Sequence, residues 1–425
     1  MQNTQIPLKK VIIIGGGFGG LRAAKTLANN PFVSITIIDR HNYHLFQPLL
    51  YQVATAGLSP ADIAVPIRSI IGGAKNTEVF LGTVKSINTL NKSVTFDSIE
   101  LNYDFLIVAV GAKHSYFGKT EWENLAPGLK TLEQATEIRR RVLIAYEKAE
   151  IELNPEIKKE LLTFVVVGAG PTGVEMAGAI AEISHQTLAK DFKNIDPSIA
   201  RIILVDAGPR ILAAFHPHLS QKATQDLEAM GVQLRINSRV SNITPNSVTI
   251  GSEKIVTHTV IWAAGVQPSP LGKELGAPLD SLGRVIVNEF SNIPNNQSVF
   301  VVGDLAHFKG HENIPLPGLA PVAIQQGEWA AKNILRGLNG NAYLPFVYRD
   351  KGMMATIGRK KAIMQFKGIQ VSGIVAWFAW LIIHIFYLID FKNKLFVFLN
   401  WCWSYFTFRK GARLIVDKLD DHTED

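Results

Sequence analysis

A single cysteine, Cys402, stands among 425 residues. That excludes an internal disulfide and paired-thiol chemistry, and it fits a reducing compartment. Charge is also sparse, at 19% of residues against 47% hydrophobic, and what there is leans basic, with a net charge of +7. Such a balance suits an anionic surface such as lipid or nucleic acid. The opening stretch "MQNTQIPLKKVIIIGGG" has a lysine pair but only four apolar residues before its glycines, which is too few for a signal peptide. Between residues 11 and 350 no uncharged run approaches the roughly 20 residues of a membrane-spanning helix. Neither a metal-ligand cluster nor a hydrolytic triad is apparent, since His307 and His311 have no further ligands near them in sequence. His41 and His44 read as loop residues that pack or hydrogen-bond.

What is present begins with "KKVIIIGGGFGGLRAAKTLANN", a strand running into Gly15, Gly17 and Gly20 and then into an alanine-rich helix. The spacing permits a tight turn, a close approach of backbone to a pyrophosphate, and close helix–strand packing. Asp39 ends the next strand about 20 residues on, where a ribose hydroxyl would be held. A second cradle, "LTFVVVGAGPTGVEMAGAIAE", repeats the pattern with Gly168, Gly170 and Gly173. Its next strand ends at Asp206, after a longer insert than usual. An acidic side chain there repels the extra phosphate of NADP and favours NAD, although Arg210 nearby keeps NADP open.

The first cradle is followed by short alternating strands, a β-meander leading to an apolar strand and Gly111. After the second, "VTHTVIWAAGVQPSP" passes through Gly265, and "NQSVFVVGDLAHF" closes a strand on Gly303 and Asp304. This order resembles the two-dinucleotide-binding-domain flavoproteins of glutathione-reductase-like fold. The resemblance implies FAD on the first cradle, the nicotinamide dinucleotide on an inserted second domain, and a return to the FAD domain at the "GD" pair. The expected fold is therefore α/β, with two Rossmann-like domains and a C-terminal membrane-attachment region of amphipathic helices. The expected borders are 1–115 and 283–345 for the FAD-binding domain, 116–282 for the NADH-binding domain, and 346–425 for the membrane region.

Disulfide reductases of that fold carry a cysteine pair after the first βαβ unit, and "RHNYHLFQPLLYQVATAGLSP" has none. The same stretch, with "VIWAAGVQPSPL", "LPGLAPVAIQQGEWAAKNI" and an aromatic tail, resembles the type II NADH dehydrogenases, single-subunit NADH:quinone oxidoreductases that do not pump protons. What the resemblance implies is electron transfer from NADH through FAD to a membrane quinone. It places Ala323 at the flavin, and Gln47, Pro48, Pro321 and Gln325 at the quinone. The family pattern AQxAxQ falls on residues 320–325, so Pro321 replaces its first glutamine and Gln325 keeps its last. The helix that follows has Pro321 at a first-turn position, and its free N–H groups would face the flavin ring. Glu175 and Gln325 are the candidate catalytic residues, Glu175 helping to place the nicotinamide or relay protons. Two rivals are kept: a slow NADH-binding sensor or anchor like apoptosis-inducing factor, and a reductase of a soluble electron carrier.

A quinone is dissolved in lipid, which gives the tail its interest. Residues 371–389, "VSGIVAWFAWLIIHIFYLI", form a run of 19 without charge. Arg359, Lys360, Lys361 and Lys367 precede it, Lys392 and Lys394 follow it, and Arg409, Lys410 and Arg413 follow the second apolar segment, "LFVFLNWCWSYFTF". A single crossing would strand one basic cluster on the wrong side, so both segments are expected to lie in the membrane plane. Trp377, Trp380, His384 and Tyr387 fall at helical spacing as a polar-tipped stripe. In the second segment Asn393, Asn400, Ser404 and Thr407 form a polar stripe opposite Phe396, Trp401, Trp403 and Phe406. The expected protein is a homodimer attached to the cytoplasmic, NADH-accessible face of a membrane, with no nucleic-acid partner.

Overall fold

The computed structural model describes residues 8–189, 191–310, 313–407 and 411–415. They fall into two compact units, one of 1–45, 64–113 and 266–351, the other of 46–63, 114–265 and 352–425.

The first unit is built on a sheet ordered Asn292–Ile293, Asn296–Val301, Phe105–Val108, Lys9–Ile14, Val33–Asp39, Thr77–Leu81. Its strands run parallel except for the edge pair. Val11, Ile12, Ile13 and Ile14 are all buried, the continuous apolar run that a parallel strand covered on both faces requires. Helix Phe18–Leu27 leaves the first strand and packs against helix Ala320–Leu338. The expected meander is present as Val84–Asn88, Ser93–Phe96 and Ile99–Asn102.

The second unit repeats the theme with parallel strands Val232–Arg235, Arg201–Val205, Thr163–Val167 and Thr259–Trp262, and a meander over Val240–Thr244, Ser247–Ile250 and Glu253–Val256. Two further pieces belong to it. One is the segment 46–63, whose short helix Leu50–Ala54 buries Leu50, Val53 and Ala54 and packs on helix Leu132–Ile151. The other is the C-terminal region, an antiparallel sheet of Met353–Gly358, Lys361–Phe366 and Ile369–Ser372 followed by helices Ile374–Tyr387 and Phe391–Thr407. Segment 46–63 and the C-terminal region thus group with the fold of the second unit. The reason is the apolar contact of 46–63 and of strand Met353–Gly358 with that fold's helices.

The tail corrects one expectation. Val371 and Ser372 end a strand, and the helix that follows is 14 residues, about 21 Å long. No helix among the described residues is long and apolar enough to cross a membrane. The aromatic stripe is divided: Trp380 is 2% exposed and stacks on His384, their ring centroids 4.0 Å apart, while Tyr387 is exposed. The outward face is Val375, Phe378, Ile382 and Phe386. In the second helix Asn393 is buried on Ala61 O, and Trp401 also turns inward, while Phe391, Leu395, Phe396 and Trp403 are exposed. The expected polar stripe opposite Trp401 is therefore split, because Asn393 and Trp401 each find a polar partner in segment 46–63. Arg409 and Lys410, the side chain of Phe406, and His311 lie outside the described residues.

Candidate functional site

In the first unit the expected residues gather at the C-terminal ends of neighbouring parallel strands, where open α/β sheets bind ligands. Gly15 follows strand Lys9–Ile14 with φ +99°, and a Cβ there would stand 2.5 Å from Ala109 O. A Cβ on Gly20 would stand 1.8 Å from Gly15 O, so helix and turn touch backbone to backbone. Gly17 is different: nothing lies within 4 Å of its Cβ position, and the same holds for Gly111. That open space borders the N-terminus of helix Phe18–Leu27, whose unpaired N–H groups attract an anion. Asp39 ends its strand with Oδ2 accepting from Gly16 N at 2.5 Å and Oδ1 from His41 N at 2.7 Å. His44, in strand Tyr43–Leu45, is tied by Nδ1 to Gly16 O at 3.0 Å, and burial lowers its pKa, so it serves as a neutral brace of the turn.

Asp304 lies in the turn Gly303–Leu305. Gly303, at φ +74°, donates its N–H to Gln326 Oε1 at 2.8 Å. Gln326 is 1% exposed, and nothing in the sequence distinguishes it, since its neighbour Gln325 occupies the family position. Ala323 sits in the first turn of helix Ala320–Leu338, with its Cβ 3.2 Å from where a Gly303 Cβ would be and its O 3.1 Å from a Gly19 Cβ. A larger residue at either glycine would force the packing apart. Pro321 stands in the helix's first turn, as expected. Gln325 spends both ends of its amide on Arg349, Nε2 donating to O and Oε1 accepting from N, each at 3.0 Å.

The open cradle, the helix terminus, and Asp39 ending and Asp304 following strands of the same sheet fit a dinucleotide such as FAD. Pyrophosphate would lie over Gly17 and the ribose at Asp39.

The second unit repeats this geometry. Gly168 has φ +102°, a Gly173 Cβ would stand 1.7 Å from Gly168 O, and Gly170 faces open space. Asp206 accepts from Ala169 N and Gly208 N, each at 2.6 Å. Gly265, at φ +83°, has Phe117 2.9 Å from its Cβ position. Arg210 is spent on Phe215 O, Ser220 Oγ and Ala213 O at 2.7–2.8 Å. Glu175 is partly buried in helix Pro171–Glu182, and its carboxylate accepts from Thr356 N at 3.4 Å. Burial pushes its pKa up to about 8, against the pull of that N–H. Gln47 and Pro48 begin a short 3-10 turn, and Gln47 donates to Lys130 O at 3.2 Å. His307 is committed to Asp280 at 2.8 Å, within an Asp280–Arg284 ion pair. Among the described residues there is no group of three side chains able to hold a metal.

The family model for pyridine nucleotide-disulphide oxidoreductase matches residues 9–327, and that for the NDH2 C-terminal domain matches residues 351–410. The type II NADH:quinone oxidoreductase Ndh of Mycobacterium tuberculosis is 41% identical over 425 residues, spanning 96% of this chain and 90% of its own. NdhA of the same organism is 42% identical over 428 residues, spanning 96% and 90%. Among solved structures, NDH2 of Plasmodium falciparum in complex with NADH superposes with a TM-score of 0.87 at 19% identity, over 96% of this chain and 100% of that one, a likeness of fold. With two cradles in one order and relatives alike from end to end, the chain belongs to the type II NADH:quinone oxidoreductase family.

Proposed function

We propose that the protein is an NADH:quinone oxidoreductase, passing two electrons from NADH through FAD to a membrane quinone without pumping protons. The observation that carries this reading is the duplicated cradle, each copy with open space over its middle glycine and an aspartate at the adjacent strand end. FAD, when bound, supplies the chemistry that joins a hydride donor to a quinone, and the protein supplies orientation and electrostatics. Gly15, Gly17, Gly20, Asp39, Gly111, Asp304 and Ala323 would hold it, with Gln326 holding the Asp304 turn. Gly168, Gly170, Gly173, Asp206 and Gly265 would hold NADH. Asp206 repels a 2′-phosphate, and Arg210 is drawn toward its own loop by three hydrogen bonds to Phe215 O, Ser220 Oγ and Ala213 O, which supports NADH over NADPH. Glu175 keeps its proton at neutral pH and would place the nicotinamide or pass a proton on.

The quinone reading is supported by the exposed apolar faces of the two C-terminal helices. Lys394 caps Phe386 O at 2.9 Å, and Lys392 lies over the Phe396 ring, placing cations beside apolar surface. Such helices lie in a bilayer interface without crossing it. Attachment on the cytoplasmic face, as a homodimer, completes the proposal.

The test is spectroscopic. The purified yellow protein is bleached by NADH under argon, and a short-chain quinone is then added. Immediate return of the colour is expected, whereas slow, persistent bleaching indifferent to quinone would contradict the enzyme reading in favour of a sensor.

A further inference from the structure

A quinone has carbonyl acceptors on a flat apolar ring and nothing to donate. A site for its headgroup therefore needs unspent donors among aromatic walls. Gln325 and Gln47 each hold a backbone carbonyl with one amide N–H, and Pro321 has no polar side chain and offers no donor.

The second unit holds two idle donors. Trp401 Nε1 donates to Gln52 Oε1 at 2.7 Å, and Gln52 Nε2 donates to the Tyr51 hydroxyl oxygen at 2.9 Å. An indole N–H can only donate, so it turns the amide oxygen toward itself. The amide N–H then makes the phenol oxygen an acceptor. The Tyr51 O–H is left with no acceptor among the hydrogen bonds of the described residues. Beside it, the Trp380 ring lies 6.4 Å from Tyr51 and 5.6 Å from Trp401, centroid to centroid. Trp380 Nε1 is buried without a partner. His384 stacks on Trp380, and its Nδ1 donates to Trp380 O at 2.7 Å, so that nitrogen offers these donors no acceptor. Burial, and then the Glu175 carboxylate, push the Tyr51 phenol well above its ordinary value, which keeps its proton in place. Both donors are nearly closed off from water, so only an acceptor that leaves water readily would meet them.

We propose that Tyr51 and Trp380 form a subsite for the quinone headgroup, the phenol O–H and the indole N–H donating to its carbonyl oxygens, with Gln52 and Trp401 as positioning residues for Tyr51. This rests on the quinone reading above. It assigns the hydrogen bonding that the Pro321 replacement removes from the family pattern to the aromatic interior of the C-terminal helices.

The test uses the full-length, flavin-loaded protein and menadione, a quinone with two carbonyls and no tail. Tyr51→Phe and Trp380→Phe each keep a ring and lose one donor. Each should raise the menadione Kd by calorimetry, and KM with it, about tenfold, the usual worth of one neutral hydrogen bond. Gln52→Leu should raise them less, because it releases the phenol without removing it. Flavin content and melting temperature serve as controls for folding, and Tyr51→Phe, the mildest change, decides if Trp380→Phe fails to fold. Unaltered Kd and KM in Tyr51→Phe and Trp380→Phe, with flavin intact, would overturn the subsite. If menadione neither binds the unaltered protein nor restores its colour, the quinone reading itself fails and the subsite falls with it.

Discussion

Arg22 and Glu175 occupy the same place in two copies of one motif, each two residues beyond the third glycine of its cradle. Around them the backbones agree closely: each third glycine would put a Cβ within 2 Å of the first glycine's carbonyl, at 1.8 and 1.7 Å. Each acidic strand end accepts from the cradle N–H and from the residue two further on. Each cradle helix is also met at a glycine by another element, Gly19 O by Gly327 and Gly178 by Ile357 O, at Cβ distances of 2.1 and 1.9 Å. The side chains diverge. Arg22 is 46% exposed and pairs with Glu328 at 2.6 Å, a surface clasp between two helices. Glu175 is partly buried with one weak N–H partner and holds its proton to about pH 8. The shared geometry fits the dinucleotide binding proposed for both copies, and the differing residue sets apart the copy that carries a buried acid.

The largest effect should come from breaking what the copies share. Gly20→Ala and Gly173→Ala each drive a methyl into a backbone carbonyl that has no flexible end to move, and each should cost about 3 kcal/mol or more by denaturant titration. A cost under about 1 kcal/mol at either would show that its turn is looser than described.

Next comes the acid. The folded-state pKa of Glu175 lies above its ordinary 4.5, so the folded protein binds the proton more tightly than the unfolded chain. The associated stability is complete below about pH 4.5 and is lost as pH rises through about 8. Glu175→Gln should flatten that part of the melting-temperature profile, and identical slopes in the two proteins would remove the assigned protonation. The smallest effect belongs to the other copy: Arg22→Gln should shift stability by less than about 1 kcal/mol, because an exposed ion pair is worth little. A larger loss would make the clasp a true support of helix Ala320–Leu338.

Much of this was legible in the sequence because it depends on local rules. Glycines at a strand-to-helix turn, an aspartate at the next strand end and the meander after the first cradle all declare themselves within short windows. The direction of the C-terminal aromatics did not. Helix Ile374–Tyr387 is apolar on nearly every side, so periodicity sees two faces of equal promise, each carrying aromatic rings. Which face turns inward is decided by Tyr51 and Phe46, more than 300 residues earlier in the chain. Gln326 was hidden for a similar reason. Two adjacent glutamines look alike until the turn at Gly303 shows which one is buried.

The central claim is that the two cradles divide the labour, flavin on the first and nicotinamide on the second. Gly17 and Gly170 both face open space, so a valine at either fills ligand volume without striking the protein. Flavin absorbance per chain, read before and after addition of NADH, tests the claim most directly. Gly17→Val should purify colourless, while Gly170→Val should carry the same flavin as the unaltered protein and resist bleaching by NADH. A yellow Gly17→Val protein, or a colourless Gly170→Val protein, would contradict it.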